Sequence, residues 1–570
     1  MKLVLFSNSI KTDSHNFVNN DIHLFSQFFI HSNNIRNNEI IHCLQTNLNN
    51  PFIKKIHLLN ETLFSQNELG ITNNFHKIIQ IFIGKRLQYK DVFQYIRSSK
   101  IQGYLLLSNI DIFFDKTLDQ LQLTTLDKRT IDNKKQMIAL LRYEYNGIST
   151  TNSLLFGPRF DSQDTWIFHS NHCIEENQEK VFSFEFGKPG CDNKLIYLMK
   201  VLGFDVFNDP LLIKSYHYHS SLHRNYTSND IISPPWGVII PAKINPLFFP
   251  PSLGINLKEI IAKNQTISFD DNTILRDYIV NKLKQNVAFV IPRISGIENN
   301  ISVFVEKIFS INPVSLSLSD IQYLTNILPI MKSNAGIQIT SLQSAYKYSQ
   351  YYMNAFNDCD LFCGWEIQGD CIHHIAESHE YMIQKYRNGY YGKKQMIWSF
   401  SLDIFHYIHS NPWTTAFCGK RILIISSFID SIEENILHRS KLYDNIDLFP
   451  DCSFIFIRPP ITNAGEISCE FDIELDNFYK KLDLLKDDYD VALLACGGYA
   501  NPICSYIYRN HQKSAIYVGG VLQMYFGILG NRWITERPDI LHLYHNEYWK
   551  RPKITERPLH YEKIEKGCYW

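Results

Sequence analysis

The chain lacks the marks of several common functional classes. Its twelve cysteines include no C-x-x-C pair, which removes the usual spacing for thiolate zinc and dithiol redox centres. Its densest apolar runs, ILIISSFI and YLLLSNI, stay under ten residues, against about twenty for a bilayer-spanning helix. The opening MKLVLFSNS has one lysine and an apolar stretch too short for a secretory h-region. Charge of one sign is also missing: 56 basic and 57 acidic side chains leave a formal net charge of −1, so no global field draws a nucleic-acid backbone or an anionic membrane surface. No P-loop, G-x-G-x-x-G, or G-x-S-x-G stands in the sequence, which leaves kinase, dinucleotide-dependent and hydrolase chemistry without a motif. The expectation is a cytoplasmic protein with no membrane span and no nucleic-acid partner.

What is present suits a large globular protein. At 570 residues with 45% hydrophobic and 20% charged side chains, the chain has enough apolar mass for sizeable cores, and about 150 residues per domain suggests three or four units. To about residue 230, short apolar runs alternate with helical patterns. KLVLF, KKIHLL, KIIQIFI and GYLLLS read as strands; YKDVFQYIRSS and the face Ile40, Ile41, Leu44 and Leu48 read as helices. Proline pairs at 234–235 and 250–251 then interrupt the pattern, predicting an extended connector and a helical segment over 231–284. Residues 256–420 read as largely helical with one strand, AFVIPR. RILIIS, SFIFIR, DVALLA and SAIYV return as apolar strands, which predicts a doubly wound, Rossmann-like sheet within 285–570. The fold class is α/β, with a mixed-sheet N-terminal domain at 1–230.

Two strand ends carry the candidate chemistry. GYLLLS runs into SNIDIFFD, placing Asn109, Asp111 and Asp115 at the carboxyl edge of a buried strand, where open α/β sheets bind ligands. An amide and a carboxylate at i, i+2 offer oxygen ligands on one side of an extended segment; a strand exit with an Asp turn is the plainer alternative. His217 and His219 in SYHYH share the same spacing. In GKPGCDN a glycine turn delivers Asp192 to a helix start, as an N-cap or as a functional carboxylate. In the second half, DVALLA ends in Gly497–Gly498 and SAIYV in Gly519–Gly520; such glycines allow close backbone approach to a ligand, or simply tight turns.

The order SNIDIFFD, DSQDTWIFHSNH, GKPGCDNKLIYL, SYHYH resembles the GT-A glycosyltransferase fold over roughly residues 1–230, in an Asn-x-Asp-Ile version of its Asp-x-Asp metal motif. The resemblance implies Mn2+ or Mg2+ held by Asp111 with His217 or His219, Asn109 standing where the first Asp usually stands, Asp192 as acceptor base or clamp, and Arg36, Arg86 and, less so, Lys85 against the donor diphosphate. Asp164 and Trp166 would line the pocket, with a core position the equal alternative for Trp166. AFVIPRISGIENN and CGGYANPICSYI resemble GT-D glycosyltransferases over about 285–540, implying Arg293 and Glu298 as active groups, with Gly296 where that family's metal-motif Asp stands. Gln523, Asn531, Arg532 and Trp533 would face the same crevice, with GCYW packed as an ordered tail. The composition suits an AT-rich genome such as a large DNA virus, and then the host cytoplasm. Together these imply a transferase using a nucleotide-sugar, a UDP-sugar being the expected donor, and a glycan or protein-linked acceptor, with a second transferase module in the same chain. The alternative is a degenerate transferase fold serving as a glycan-binding or scaffolding protein, favoured by Asn109 and Gly296.

Overall fold

Apolar runs bounded by turn residues become the strands of two α/β units. The computed structural model describes residues 20–157, 159–221, 227–241, 267–311, 316–365, 375–388 and 393–570; the expected strand KLVLF and the proline pair at 250–251 lie outside these. Two compact units form, Met1–Ile260 with Gln265–Ile267, and Ile261–Asn264 with Ser268–Trp570, fewer and larger than the length suggested. The connector joins the first unit through main-chain bonds from Ile232 to Pro189, Gly237 to Asn193 and Ile239 to Phe160, so the division falls near residue 260.

The first unit contributes β1 Ile22–Ser26, β2 Ile53–Asn60, β3 Ile78–Phe82, β4 Tyr104–Ser108, β5 Ile112–Phe114, β6 Lys135–Leu140, β7 Tyr143–Glu144, β8 Leu154–Leu155, β9 Thr165–His169, β10 Phe204–Phe207 and β11 Ser215–His217. Seven of them form a sheet in the order β10-β6-β9-β4-β1-β2-β3. It is parallel except at β9, which runs antiparallel to both β4 and β6, so the expected mixed sheet is present. Helix Asn34–Asn49 buries Ile40, Leu44 and Leu48 against this sheet's core with Leu24, Ile56 and Leu106. A small second sheet, β5-β11-β7-β8, stands at the exit of β4.

The second unit holds β12 Val290–Ile291, β13 Leu361–Gly364, β14 Gln395–Trp398, β15 Arg421–Ser426, β16 Ser453–Ile457, β17 Val491–Ala495 and β18 Ser514–Tyr517. The order β12-β18-β17-β15-β16 is parallel throughout, as its uninterrupted apolar strands require. Parallel strands β13 and β14 extend it, through a bridge between Arg293 and Cys363. Both lie inside the stretch expected to be mostly helical: LFCG and QMIW are short runs among longer helical ones. Among the described residues no helix is long and apolar enough to cross a membrane.

Gly103, at the turn into β4, has φ of +114°, and a Cβ there would stand 2.2 Å from the Asp21 carbonyl oxygen. Gly296 has nothing within 4 Å of the same position. Gly103→Ala should therefore destabilise the protein by about 2 kcal/mol or more, and Gly296→Ala by less than about 0.5 kcal/mol, as read from denaturant midpoints.

Candidate functional site

Sheet register assembles the centre of the first unit. The chain leaves β4 at Ser108 and enters β5 at Ile112, so Asp111 stands at the junction. β11 pairs antiparallel with β5, setting His217 opposite Ile112, and parallel with β7, setting His217 opposite Glu144. His217 Nε2 lies 3.2 Å from Asp111 Oδ2, and its Nδ1 lies 3.0 Å from Glu144 Oε2. His219, one alternate position on, completes a group with Asp111 and His217 whose candidate ligand atoms all lie within 4.8 Å of one another.

Ion pairs lock this group from both sides. Arg36, in the first turn of helix Asn34–Asn49, pairs with Asp111 Oδ2 and donates to Glu39 and the Tyr218 carbonyl at 3.0 Å each. Glu39 in turn accepts from the main-chain nitrogens of Ser220 and Ser221 at 2.8 and 3.0 Å. On the other side Arg142 donates to Glu144 at 2.8 Å, pairs with Asp164, and stacks 4.0 Å from the centre of the Phe156 ring. Asn109 donates its amide to Asp164 at 2.9 Å. A continuous polar chain thus runs from Glu39 to Asn109, with four carboxylates facing two guanidiniums and one imidazole.

Burial works to raise the Asp111 carboxyl, but the charges and hydrogen bonds of His217 and Arg36 outweigh it and hold it far below the usual range. Burial and Arg142 work to lower His217; Asp111 and Glu144 prevail and push it up to about 9. Burial also opposes ionisation of Glu144, yet His217 and Arg142 bring it down to about 2. One oxygen escapes this accounting: Asp111 Oδ1 is buried and has no hydrogen-bond partner. A buried carboxylate oxygen left unpaired is costly, and with two imidazoles nearby it offers the mixed O and N donor set that suits Mn2+. The residues fit a divalent cation, and Glu144 is placed to orient His217 as a carboxylate behind a ligating histidine does.

The other expected residues distribute unevenly. Arg36 is buried and occupied by Glu39, Tyr218 and Asp111, so it anchors the aspartate instead of presenting donors to a diphosphate, a correction to its expected role. Arg86 stays half exposed, 3.4 Å from Glu185, and it and Asn109 both flank the open face of Gly187. Lys85 pairs with Asp91 at 2.8 Å. Asp115 is structural, accepting from Thr117 and Tyr216 at 2.9 Å each. Trp166 is core, fully buried against Tyr89 and Phe186, and does not line a pocket. Asp192 lies in the first turn of helix Cys191–Val201, accepts from the Gln163 main chain at 3.1 Å, and keeps part of its surface open. Burial first, then Asp164, pushes its carboxyl up to about 7. Glu39, Arg142 and Glu144 were missed; the i, i+2 alternation of Arg142 and Glu144 in LLRYEY was the signal that could have found the last two.

In the second unit Arg293 follows β12 and donates to the Val518 carbonyl at 3.2 Å. Glu298 is buried in the first turn of helix Ile297–Ile311, its carboxyl raised by burial and only partly relieved by Ser295 and Arg293. The glycine pairs are filled by the protein itself. A Cβ on Gly498 would meet Ile337 at 2.3 Å, on Gly497 the Ala335 carbonyl at 3.2 Å, on Gly519 the Arg293 guanidinium at 2.0 Å and on Gly520 the Tyr569 ring at 2.1 Å. The close approach they permit is therefore to protein side chains and backbone, and a phosphate cradle at these glycines is corrected accordingly. Gln523 is likewise committed, to the Ile528 and Tyr569 carbonyls at 3.0 and 3.1 Å. Arg532, Trp533 and Tyr569 do reach a common cavity.

The raised Asp192 carboxyl has a sign that can be checked. Its folded-state value of about 7 lies above the usual 3.8, so between those values the folded protein keeps a proton that the unfolded chain releases, and stability falls as pH rises from about 4 to about 7 and is level above that. Asp192→Asn should raise the melting temperature modestly at pH 5 and by several degrees more at pH 8.5, in paired thermal melts.

No protein-family model matches the chain, and no curated protein matches it. Among solved structures, 4-diphosphocytidyl-2C-methyl-D-erythritol synthase aligns at 8% identity over 37% of this chain and 95% of its own, with a TM-score of 0.21. The glycosyltransferase GlyE of Streptococcus pneumoniae TIGR4 aligns in its apo form at 11% identity over 87% of this chain and 90% of its own, with a TM-score of 0.17. A second GlyE structure aligns at 10% identity over 89% and 100%, with a TM-score of 0.18.

Proposed function

We propose that the first unit transfers a sugar from a nucleotide-sugar to a hydroxyl of a glycan or protein-linked acceptor. The observation that carries this reading is Asp111 Oδ1, buried without a partner beside two histidines at the carboxyl end of a sheet strand. Asp111, His217 and His219 would hold Mn2+ or Mg2+, which supplies positive charge to a departing nucleoside diphosphate. Arg36 and Glu144 hold Asp111 and His217 in place. Asp192, partly open and with its carboxyl near 7, is suited to take the acceptor proton at neutral pH. Arg86 is the remaining half-exposed cation near Asn109 and would meet the diphosphate. A UDP-sugar is the donor that the family resemblance implies, and a second transferase module in the other unit belongs to the same reading.

A second reading has its own observation. The Asn109 amide is tied to Asp164 and the Arg36 guanidinium already sits on Asp111, which suits a degenerate centre that binds glycan without turnover.

Release of nucleotide from UDP-, GDP-, CMP- and TDP-sugars, with and without Mn2+, separates the two. For a transferase, one donor class turns over with metal. Asp111→Ala should then reduce the rate at least about 100-fold, Asp192→Asn about 10²–10⁴-fold, and Glu144→Gln should weaken Mn2+ binding about 10- to 100-fold. Turnover that survives Asp111→Ala would overturn the assignment of the centre, and no turnover with any donor would leave the glycan-binding reading standing.

A further inference from the structure

The second unit has a cavity at the edge of its sheet opposite Arg293 and the glycine pairs. Helix Leu342–Asp358 leads into β13, Lys394 directly precedes β14, and the turn Ile507–His511 leads into β18. The cavity, about 620 Å³ in volume, is lined by that helix, by Glu306 of helix Ile297–Ile311, and by Lys385 and Lys394. It therefore stands at the amino ends of parallel strands, away from the carboxyl ends where open α/β sheets place their reaction centres. Its size is that of a small-molecule site.

The charged groups here are committed within the protein. Lys385 is buried and pairs with Glu306, which also accepts from the Tyr381 hydroxyl at 3.3 Å. Lys394 donates to the Asn357 and Cys359 carbonyls at 2.9 and 2.6 Å. Arg509 donates to Asp358 at 2.6 and 2.9 Å and to the Asn354 amide oxygen at 3.2 Å. The Asn357 amide oxygen accepts from the Tyr386 hydroxyl at 3.0 Å. With both amide oxygens taken, the Asn354 and Asn357 amide nitrogens make no hydrogen bond among the described residues. The same holds for the Gln350 amide and the Tyr346 and Tyr351 hydroxyls, which line the cavity with them. Free groups that are all neutral, beside charges that are all engaged, suit an uncharged ligand rich in hydroxyls and not a phosphate.

The backbone gives a separate reason. Two π-helical turns frame the site: Ile383–Arg387 carries Lys385, and Ile507–His511 carries Arg509, which fixes Asn354. Such turns are rare and concentrate at functional sites. The rings are fixed as well. Tyr346 stacks on Phe309 with centres 4.0 Å apart, and Tyr351 meets Phe471 edge-on at 5.9 Å. Half-buried tyrosines held in this way offer rigid apolar area beside a polar tip, which matches a sugar ring with its C–H faces and hydroxyl rim.

We propose that this cavity is a non-catalytic holding site for a neutral saccharide, a length of glycan chain gripped by Gln350, Asn354, Asn357 and the two tyrosine hydroxyls. The choice of a saccharide over another neutral polyol rests on the sugar chemistry that both readings above share. The site belongs to the other unit than the Asp111 centre and needs no metal.

Calorimetric titration of the full-length protein in EDTA tests it, with neutral oligomers of glucose, galactose, mannose and N-acetylglucosamine, and with glycerol and inositol as comparators. At least one oligosaccharide should bind, and more tightly than either polyol. Gln350→Ala, at an exposed position, and Tyr351→Phe, which removes only a hydroxyl, should each weaken that binding about 2- to 10-fold at an unchanged melting temperature. Asp111→Ala and an excess of UDP should leave it as it is. No oligosaccharide binding, inositol binding as tightly, displacement by UDP, or indifference to both substitutions would overturn the proposal. Nucleotide release assayed on the same protein separates the failures: turnover without oligosaccharide binding sinks this site alone, and binding without turnover sinks the transferase reading alone.

Discussion

A buried aspartate needs compensation, and at Asp111 that need organises the first unit. The carboxylate stays ionised only because a histidine and an arginine face it, and each of these is held by a further carboxylate. Glu144 holds His217 and Glu39 holds Arg36, while two main-chain nitrogens beyond β11 hold Glu39. The strand exit, the first helix and the small second sheet are thereby tied by electrostatics as much as by apolar packing. Removing one member of such a buried network leaves a charge without its partner, which costs more than the lost contact.

Much of the fold was legible because strand burial leaves a plain mark. Runs such as YLLLS, RILIIS and VALLA are apolar on both faces, and each became an inner strand, the last two parallel to both neighbours and YLLLS parallel to β1 and antiparallel to β9. IHLFS was passed over because two polar residues in five blur the pattern, though its partners β2 and β4 bury it. LFCG and QMIW, four residues each, are too short to show a period against the helices around them. The α/β class survived these omissions since it depends on alternation and not on any single strand.

The sites were legible in residue type and much less in role. Asp111 and the two histidines could be grouped by spacing, whereas the Arg36 pairing with Asp111 spans the fold and has no local signature. The glycine pairs misled for a related reason. Glycine at a strand end signals that something comes close, but only the structure says whether that is a ligand or, as at Gly519 and Gly520, the side chains of Arg293 and Tyr569. Arg293 and Arg532 could be set in one crevice from the GT-D resemblance, whereas Arg537, which lines the same cavity, has no motif to announce it.

The chain separations in this centre also have a consequence for how it is made. Arg36 reaches the Tyr218 carbonyl across 182 residues, and His217 reaches Asp111 across 106. Contacts of such long range form late, because the loop between them must close first. During synthesis Asp111 therefore emerges well ahead of the histidine that compensates it, and until β11 docks its carboxylate is better left in water. A cation held by Asp111, His217 and His219, as proposed, would therefore require roughly the first 220 residues to be free to pack.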